Sequence, residues 1–315
     1  MYKNFILSHK NFIISIVAGL ASTLVFLSVM TGGKLSVILV QLIPLPLIMI
    51  GLSLRFTCLL IGCCLALTII LIIAPSAILM FTLLSLLPTI LLVYLTRLQR
   101  ITSDSNLHCQ YCLGSLISWI TIATIGLMIF FMSHLTTESG NFETEIRHYV
   151  VQLLDQIVHF ISTDIRDSII VLWSAIFPAM LGSAWLVMVI INGALAQWMV
   201  TKAGHASIPT PDYLALELPF WILIALVIAI TLSLTVSGNV GYVLQNIAVI
   251  LMWPQIFAGL AIIHQTLHKK PNAGILLALF YMIFFVMFGW AQIVVAGLGL
   301  IRYWKRIRQY NIMSR

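Results

Sequence analysis

Cys109 and Cys112 form a C-x-x-C pair directly after His108, a spacing that occurs in metal and redox sites. A structural zinc ion needs four ligands and usually a second such pair, and no second pair follows at a suitable spacing. A redox pair normally belongs to a thioredoxin-like βαβ setting, which the sequence does not show. The pair is therefore interpreted as incidental, and we predict no metal and no cofactor.

Ser183 lies in a long apolar run, and His134 or His264 would have to act as its base in any serine chemistry. The Gly-Ser pair at 182–183 is more typical of close helix packing. The chain contains no H-E-x-x-H, P-loop or G-x-S-x-G motif. We therefore predict no catalytic residue and a protein that is not an enzyme, with an intramembrane enzyme as the least favoured alternative.

Neutral amides and indoles inside the apolar runs are better suited to binding a small molecule. An unpaired amide in lipid is costly, so such groups face the interior of a helix bundle or a cavity. They serve either as interhelical hydrogen bonds or as a pocket for a small, uncharged or weakly charged ligand, with indoles for stacking. The residues predicted for the ligand pocket are Gln41, Asn192, Gln245, Asn246, Trp253, Gln255 and Gln292.

Two prolines interrupt the same apolar run as Gln41. Pro44 and Pro46 have no backbone N–H, so they free carbonyl groups that would otherwise be paired within a helix. Irregular backbone at membrane depth occurs where protein or a cavity covers it, as in the broken helices of transporters. The sequence therefore predicts a broken helix at a site.

The distribution of charge defines the class of protein to which these groups belong. The 315 residues are 61% hydrophobic and 8% charged, too apolar for a soluble domain of this length. All nine Asp and Glu residues lie outside the long apolar runs, and the basic residues lie mainly at the ends of those runs. The net charge of +7 therefore reflects membrane orientation and not nucleic-acid binding. A self-powered carrier that moves protons through membrane-embedded carboxylates is disfavoured as well.

The apolar runs predict an all-α, polytopic transmembrane bundle with eight to ten membrane segments, built as a single integral membrane domain over residues 1–315. The last run is long enough for one tilted helix or for two helices broken around 288–290. The nine runs are residues 11–31, 35–52, 55–73, 77–96, 113–133, 169–200, 218–237, 241–264 and 273–301.

Loop charges predict the orientation of the chain. Basic residues place the N-terminus in the cytoplasm, and residues 134–167, with six of the nine acids, then face outward. Apolar residues recur in that segment at steps of three and four, which predicts an amphipathic helix. It either lies along the membrane surface or caps the bundle, or it acts as a substrate lid or a partner-docking surface. The basic C-terminus also favours the cytoplasm, so we expect the last run to form a hairpin.

Several segments together resemble one family of bacterial membrane proteins. They are Ile43-Pro-Leu-Pro46, Gly51-Leu-Ser-Leu-Arg55, Leu218-Pro-Phe-Trp221, Gln245-Asn246, Phe257-Ala-Gly259-Leu-Ala, and Gly297-Leu-Gly299 before the basic tail. The chain resembles the YybS-like proteins (domain of unknown function 2232), which are uncharacterised. The fold of that family looks similar to the substrate-binding S components of energy-coupling-factor transporters for vitamins and metals.

The resemblance implies a protein of the bacterial inner membrane that binds a small nutrient and has no ATPase of its own. A separate transmembrane coupling subunit with ATPases would act in trans. S components dock on that subunit through small residues of the first helix, and Ala18 and Ser22 have the corresponding spacing here.

The function that we expect is a transporter-like, small-molecule-binding subunit in contact with membrane lipids. The alternative is a membrane scaffold or envelope-assembly factor that uses the outward amphipathic helix. The two differ in what they must bind, because a transport subunit needs a small molecule and a scaffold needs a protein against the acidic face.

Overall fold

A computed structural model describes residues 9–33, 36–103, 112–135, 140–157, 163–287 and 289–313. Every regular element in these ranges is a helix, which confirms the all-α prediction. His108, Cys109 and Glu138 lie outside these ranges. The α-helices are α1 (His9–Met30), α2 (Ser36–Leu42), α3 (Leu45–Ser53), α4 (Phe56–Ile73), α5 (Ile78–Phe81), α6 (Leu87–Ser103), α7 (Cys112–Ser133), α8 (Phe142–Ile157), α9 (Thr163–Lys202), α10 (Phe220–Thr235), α11 (Gly238–Leu267), α12 (Ala273–Val286) and α13 (Trp290–Met313).

Six helices in the described part of the chain are long and apolar enough to cross a membrane. They are His9–Met30, Phe56–Ile73, Pro75–Leu98, Leu113–Ser133, Ile165–Lys202 and Gly238–Leu267. Four apolar helices are shorter: Ile38–Ser53, Phe220–Thr235, Ala273–Val286 and Trp290–Ile301. Helices of this number and composition indicate a multi-pass membrane protein. The count of eight to ten membrane segments stays a prediction.

Helix α9 is longer than a membrane is thick. Its 40 residues extend over about 60 Å at 1.5 Å per residue. The hydrocarbon core of a bilayer is only about 30 Å thick. The polar first turns of α9 therefore extend beyond the hydrocarbon, and there Arg166 forms an ion pair with Asp155 of α8.

Residue contacts divide the chain into two compact units, which we describe separately. Unit 1 comprises Met1–Cys109 and Trp185–Pro211, and unit 2 comprises Gln110–Ala184 and Asp212–Arg315. Helix α9 begins in unit 2 and ends in unit 1. That residues 1–315 form a single integral membrane domain stays a prediction.

Unit 1 is built on a close crossing of α1 and α4. A Cβ atom on Gly19 would lie 2.6 Å from the carbonyl oxygen of Gly62, and a Cβ on Gly62 would lie 3.0 Å from that of Ser15. The two backbones therefore touch without a side chain between them, as small residues permit in membrane helices. Further along, the rings of Phe26 and Phe81 pack edge to face with their centroids 5.0 Å apart.

Two irregular segments interrupt the helices of unit 1. The predicted break is confirmed, because α2 ends at Leu42 and α3 begins at Leu45. The second irregularity is a π turn over Thr82–Leu86, directly before Pro88. The ring of a proline crowds the carbonyl four residues earlier and offers it no donor. The wider π turn relieves this conflict, a use typical of single π turns inside α-helices.

Helix α8 caps the core of unit 2. It buries Ile146, Val150 and Leu154, which recur at steps of four residues. The predicted amphipathic helix is thereby confirmed over Phe142–Ile157. The residues of α7, α9 and α11 in the same core are Met128, Met132, Ile170, Ala179, Tyr242 and Ile250.

The apolar face of α8 is narrower than the sequence predicts. Tyr149 and Leu153 belong to the apolar pattern that predicts this helix, but they remain 48% and 42% exposed. They lie one helical row away from the buried stripe, at the edge of the contact. Asn239 fixes the start of α8, because its Oδ1 accepts the Phe142 N–H at 3.0 Å and its Nδ2 donates to the Gly140 carbonyl at 2.9 Å.

Helices α11 and α13 pack closely and run antiparallel. A Cβ on Gly259 would collide with the carbonyl oxygen of Val295, and a Cβ on Gly299 would collide with that of Gln255. Later residues of α13 thus meet earlier residues of α11, so α13 runs back toward the end at which α11 begins. The last run does contain two helices, separated where Gly289 adopts a φ of +92°. The expected hairpin, which would return the C-terminus to the end where α11 finishes, is wrong.

The α11–α13 crossing gives a prediction with a matched control on the same helix. Gly299→Ala places a methyl group against the backbone of α11, and we expect it to lower the free energy of unfolding by about 1–3 kcal/mol. Gly297→Ala meets nothing within 4 Å, so its effect is expected to be neutral or slightly stabilising. Unfolding in detergent micelles, followed by circular dichroism, measures both. Equal stabilities of the two variants would contradict the close crossing.

Candidate functional site

Buried side chains bond to the carbonyl groups at the break between α2 and α3. The last carbonyls of a helix have no donor within that helix. Ser22 of α1 donates its hydroxyl to the carbonyl oxygen of Ile43 at 2.8 Å. Asn192 of α9 donates from Nδ2 to the carbonyl oxygens of Gln41 at 2.6 Å and Met188 at 2.8 Å. Ser22 and Asn192 are 0% and 2% exposed, so the protein itself supplies these hydrogen bonds.

The other end of α3 is held in the same way. Arg97 donates from Nη2 to the carbonyl oxygens of Gly51, at 2.7 Å, and of Leu54. Ser207 donates its hydroxyl to the carbonyl oxygen of Leu52 at 2.5 Å. In the sequence Arg97 indicates only the side of the membrane, and its role as a cap for α3 was missed. A cation at a helix C-terminus is favourable, but the spacing along the chain does not reveal which helix it reaches.

The π turn also contributes to this region of unit 1. The hydroxyl oxygens of Ser22 and Ser85 are 3.0 Å apart and share a hydrogen bond. Trp185 of α9 donates its indole N–H to the carbonyl oxygen of Leu83 at 2.9 Å. We name the group formed by Ser22, Ser85, Asn192 and the carbonyls of Gln41 and Ile43 the polar centre of unit 1.

In unit 2, α11 supplies hydrogen bonds to the turn of α9 that contains Pro178. Pro178 has no N–H, so the carbonyl of Ser174 lacks its helical donor, and the Tyr242 hydroxyl donates to it at 2.6 Å. Asn246 replaces the next helical bond: Oδ1 accepts the Ala179 N–H at 2.9 Å, and Nδ2 donates to the Ala175 carbonyl at 3.1 Å. Asn246 therefore has both ends of its amide engaged inside the protein.

A few buried polar atoms have no hydrogen-bond partner among the described residues. An unpaired buried polar group costs about 1–3 kcal/mol, so each of these atoms requires an explanation. Asn192 Oδ1 lies in the polar centre, whereas Gln255 lies on α11 at its crossing with α13. The atoms are Thr89 Oγ1, Ser183 Oγ, Asn192 Oδ1, Gln255 Oε1 and Gln255 Nε2.

The predicted ligand residues do not form one pocket within unit 2. Gln245 is exposed, and Trp253 packs against Phe257 with ring centroids 5.9 Å apart. Gln255 lies opposite Gly299, seven residues beyond Gln292, a separation of about 10 Å along α13. In unit 1, by contrast, the structure joins the predicted residues Gln41 and Asn192 directly. Gln41 contributes its backbone carbonyl, because its side chain is exposed.

The predicted docking residues lie inside unit 1. Ala18 is 7% exposed and Ser22 is fully buried, so the helices of the same unit cover both. In this arrangement they present no surface to a partner subunit.

The architecture defines a class of protein before any comparison: a polytopic helical membrane protein whose helix breaks are bridged by buried polar side chains. Residues 19–301 match the family of predicted membrane proteins designated DUF2232, and the chain belongs to that family. The YybS-like resemblance of the sequence is thereby confirmed. No curated protein matches the chain, and no solved structure matches it. The similarity to energy-coupling-factor S components stays a prediction.

Whether Asn246 compensates for the missing N–H of Pro178 can be tested with a double-mutant cycle. Asn246→Ala should lower the free energy of unfolding by about 1–3 kcal/mol, because it leaves the Ala175 carbonyl and the Ala179 N–H unpaired. In a Pro178→Ala background, residues 175 and 179 can bond to each other directly, so the same substitution should cost less than half as much.

Urea unfolding of the four proteins in detergent micelles measures this coupling. Gln245→Ala serves as the control, since Gln245 is exposed one residue away on α11, and it should leave stability unchanged. An equal cost of Asn246→Ala in both backgrounds would show that Asn246 does not compensate for the proline.

Proposed function

We propose that the protein is a transporter-like membrane subunit that binds a small, uncharged or weakly charged molecule at the polar centre of unit 1. The observation that carries this proposal is Asn192, which is 2% exposed. Its Nδ2 bonds to the broken helix, whereas its Oδ1 has no partner in the ranges that the structure describes. Discontinuous membrane helices form the substrate and ion sites of many transporters, and Asn192 lies beside such a break.

The chemistry of the polar centre indicates the kind of ligand. Asn192 Oδ1 is a free acceptor, and the carbonyls of Gln41 and Ile43 each retain a second lone pair beyond the bond they already accept. Acceptors therefore outnumber donors, which favours a ligand with N–H or O–H donors. The described acids all lie on α8, at the start of α9, or in the segment 203–219, so none of them lies near membrane depth in unit 1. This absence of negative charge favours a ligand without a full positive charge.

The energy for transport would come from other proteins. The 315 residues contain no P-loop, and we propose a transmembrane coupling subunit with ATPases in trans. Because Ala18 and Ser22 are buried, docking would use another surface of the protein or require unit 1 to open. The chain itself is proposed to act without catalysis.

Ligand binding is tested on the full-length protein purified in mild detergent, with small molecules extracted from it and quantified by mass spectrometry. The wild type should retain a small molecule that Asn192→Ala retains at least about tenfold less, which corresponds to one lost hydrogen bond to a buried acceptor. Ser207→Ala is the matched structural control, because it removes a side-chain hydrogen bond to α3 outside the polar centre and leaves Asn192 intact.

The outcomes decide between this proposal and the scaffold alternative. Retention in Ser207→Ala together with loss in Asn192→Ala supports the polar centre as the site. Equal retention in Asn192→Ala and the wild type contradicts it. A wild-type protein that co-purifies with no small molecule would favour the assembly factor, which needs none.

The proposed location is the bacterial inner membrane, with the N-terminus in the cytoplasm. Single cysteines at Glu143 of α8 and at Lys269 after α11, in a background without the native cysteines, report the side on which each lies. A membrane-impermeant maleimide added to spheroplasts should label Glu143→Cys and leave Lys269→Cys unlabelled until the membrane is opened. The reverse pattern would invert the proposed topology.

A further inference from the structure

An open groove of about 500 Å³ lies between the C-terminal part of α11 and helix α12 in unit 2. Ile263 and Leu267 form one wall, and Leu276, Leu279 and Ile283 form the other. Its volume is in the range of about 300–1,000 Å³ that is common for small-ligand sites. The residues 276–283 of the α12 wall extend over about 10 Å, so the groove is elongated.

The lining of this groove suits a hydrocarbon chain and not a polar ligand or a peptide. Thr266 is the polar residue that lines it, and its hydroxyl donates to the Ile262 carbonyl of its own helix at 2.8 Å. A peptide would bring backbone N–H and C=O groups that find no hydrogen-bond partner on these walls. Burying such groups without partners is unfavourable. A hydrocarbon chain has no such groups.

Positive charge lies at one end of the same groove. The turn 268–272 joins the two walls, and it carries His268, Lys269 and Lys270, all exposed. The side chains of Lys269 and Lys270 form no ion pair with any residue in the described ranges. Lysines at a membrane surface attract anionic lipid headgroups.

We propose that this groove and turn bind one anionic phospholipid, with an acyl chain between α11 and α12 and the phosphate against Lys269 and Lys270. The two parts of the ligand match the two parts of the site, because the walls of the groove are apolar and the turn carries two lysines. The site lies in unit 2 and does not depend on the polar centre of unit 1, so either proposal can fail without the other.

The test is native mass spectrometry of the delipidated full-length protein, titrated with phosphatidylglycerol or phosphatidylcholine that carry the same acyl chains. The wild type should bind one phosphatidylglycerol about tenfold more tightly than phosphatidylcholine. The double variant Lys269→Gln/Lys270→Gln should lose this preference and bind both lipids at the phosphatidylcholine level. Leu279→Trp fills the groove with an indole and should weaken binding of both lipids.

Lys10→Gln is the matched control, since Lys10 is an exposed lysine on α1 in unit 1, and it should keep the preference. Thermal unfolding of each variant without lipid confirms that the fold is intact. A wild type without preference, or a double variant that retains it, would overturn the site. Self-association through the groove would overturn it as well, and Leu279→Trp would then turn dimers into monomers without changing lipid binding.

Discussion

Backbone carbonyl groups at membrane depth must find donors within the protein, and this requirement organises both units. Lipid offers no hydrogen bonds, so any interruption of a helix creates acceptors that only another part of the chain can satisfy. The carbonyls at the break beside Pro44 bond to Ser22 and Asn192, and the turn of α9 that contains Pro178 bonds to Tyr242 and Asn246. The arrangement of the long helices follows from these bonds as much as from apolar packing, because each bond fixes which two helices lie side by side.

The same requirement determines how the buried polar residues are interpreted. Most of them have a structural task that accounts for their cost. Asn246 has both ends of its amide engaged, with two bonds donated and one accepted, so its presence in an apolar helix needs no ligand to explain it. Asn192 differs, because its Nδ2 bonds to the broken helix and to its own helix while its Oδ1 has no partner among the described residues. Gln255 is fully buried at the close crossing of α11 and α13, and within the described part of the chain neither end of its amide has a partner. The contrast between these three amides is visible only when each atom is followed to its partner.

Local properties of the sequence predicted local properties of the fold. The long apolar runs predicted the helices, and Pro44 predicted the break between α2 and α3. Apolar residues at steps of three and four predicted α8. The partners of the carbonyls were not predictable, because the spacing along one helix does not say which other helix faces it. For this reason Arg97 was interpreted only as a marker of topology, and Asn246 was placed in a pocket. The hairpin prediction was wrong for a related reason. It rested on loop charge alone, and loop charge does not reveal that the glycines of α11 and α13 bring these two helices together.

The separation in sequence between the helix break and its partners bears on how the protein is made. Gln41 receives its hydrogen bond from a residue 151 positions later in the chain, and Leu52 receives one from a residue 155 positions later. A chain is synthesised from its N-terminus, so the α2–α3 segment emerges long before Asn192 and Ser207 exist. Until they arrive, the carbonyls of Gln41 and Leu52 lack these donors. The hydrogen bonding of the α2–α3 segment is therefore completed only after α9 and the segment that follows it have been added.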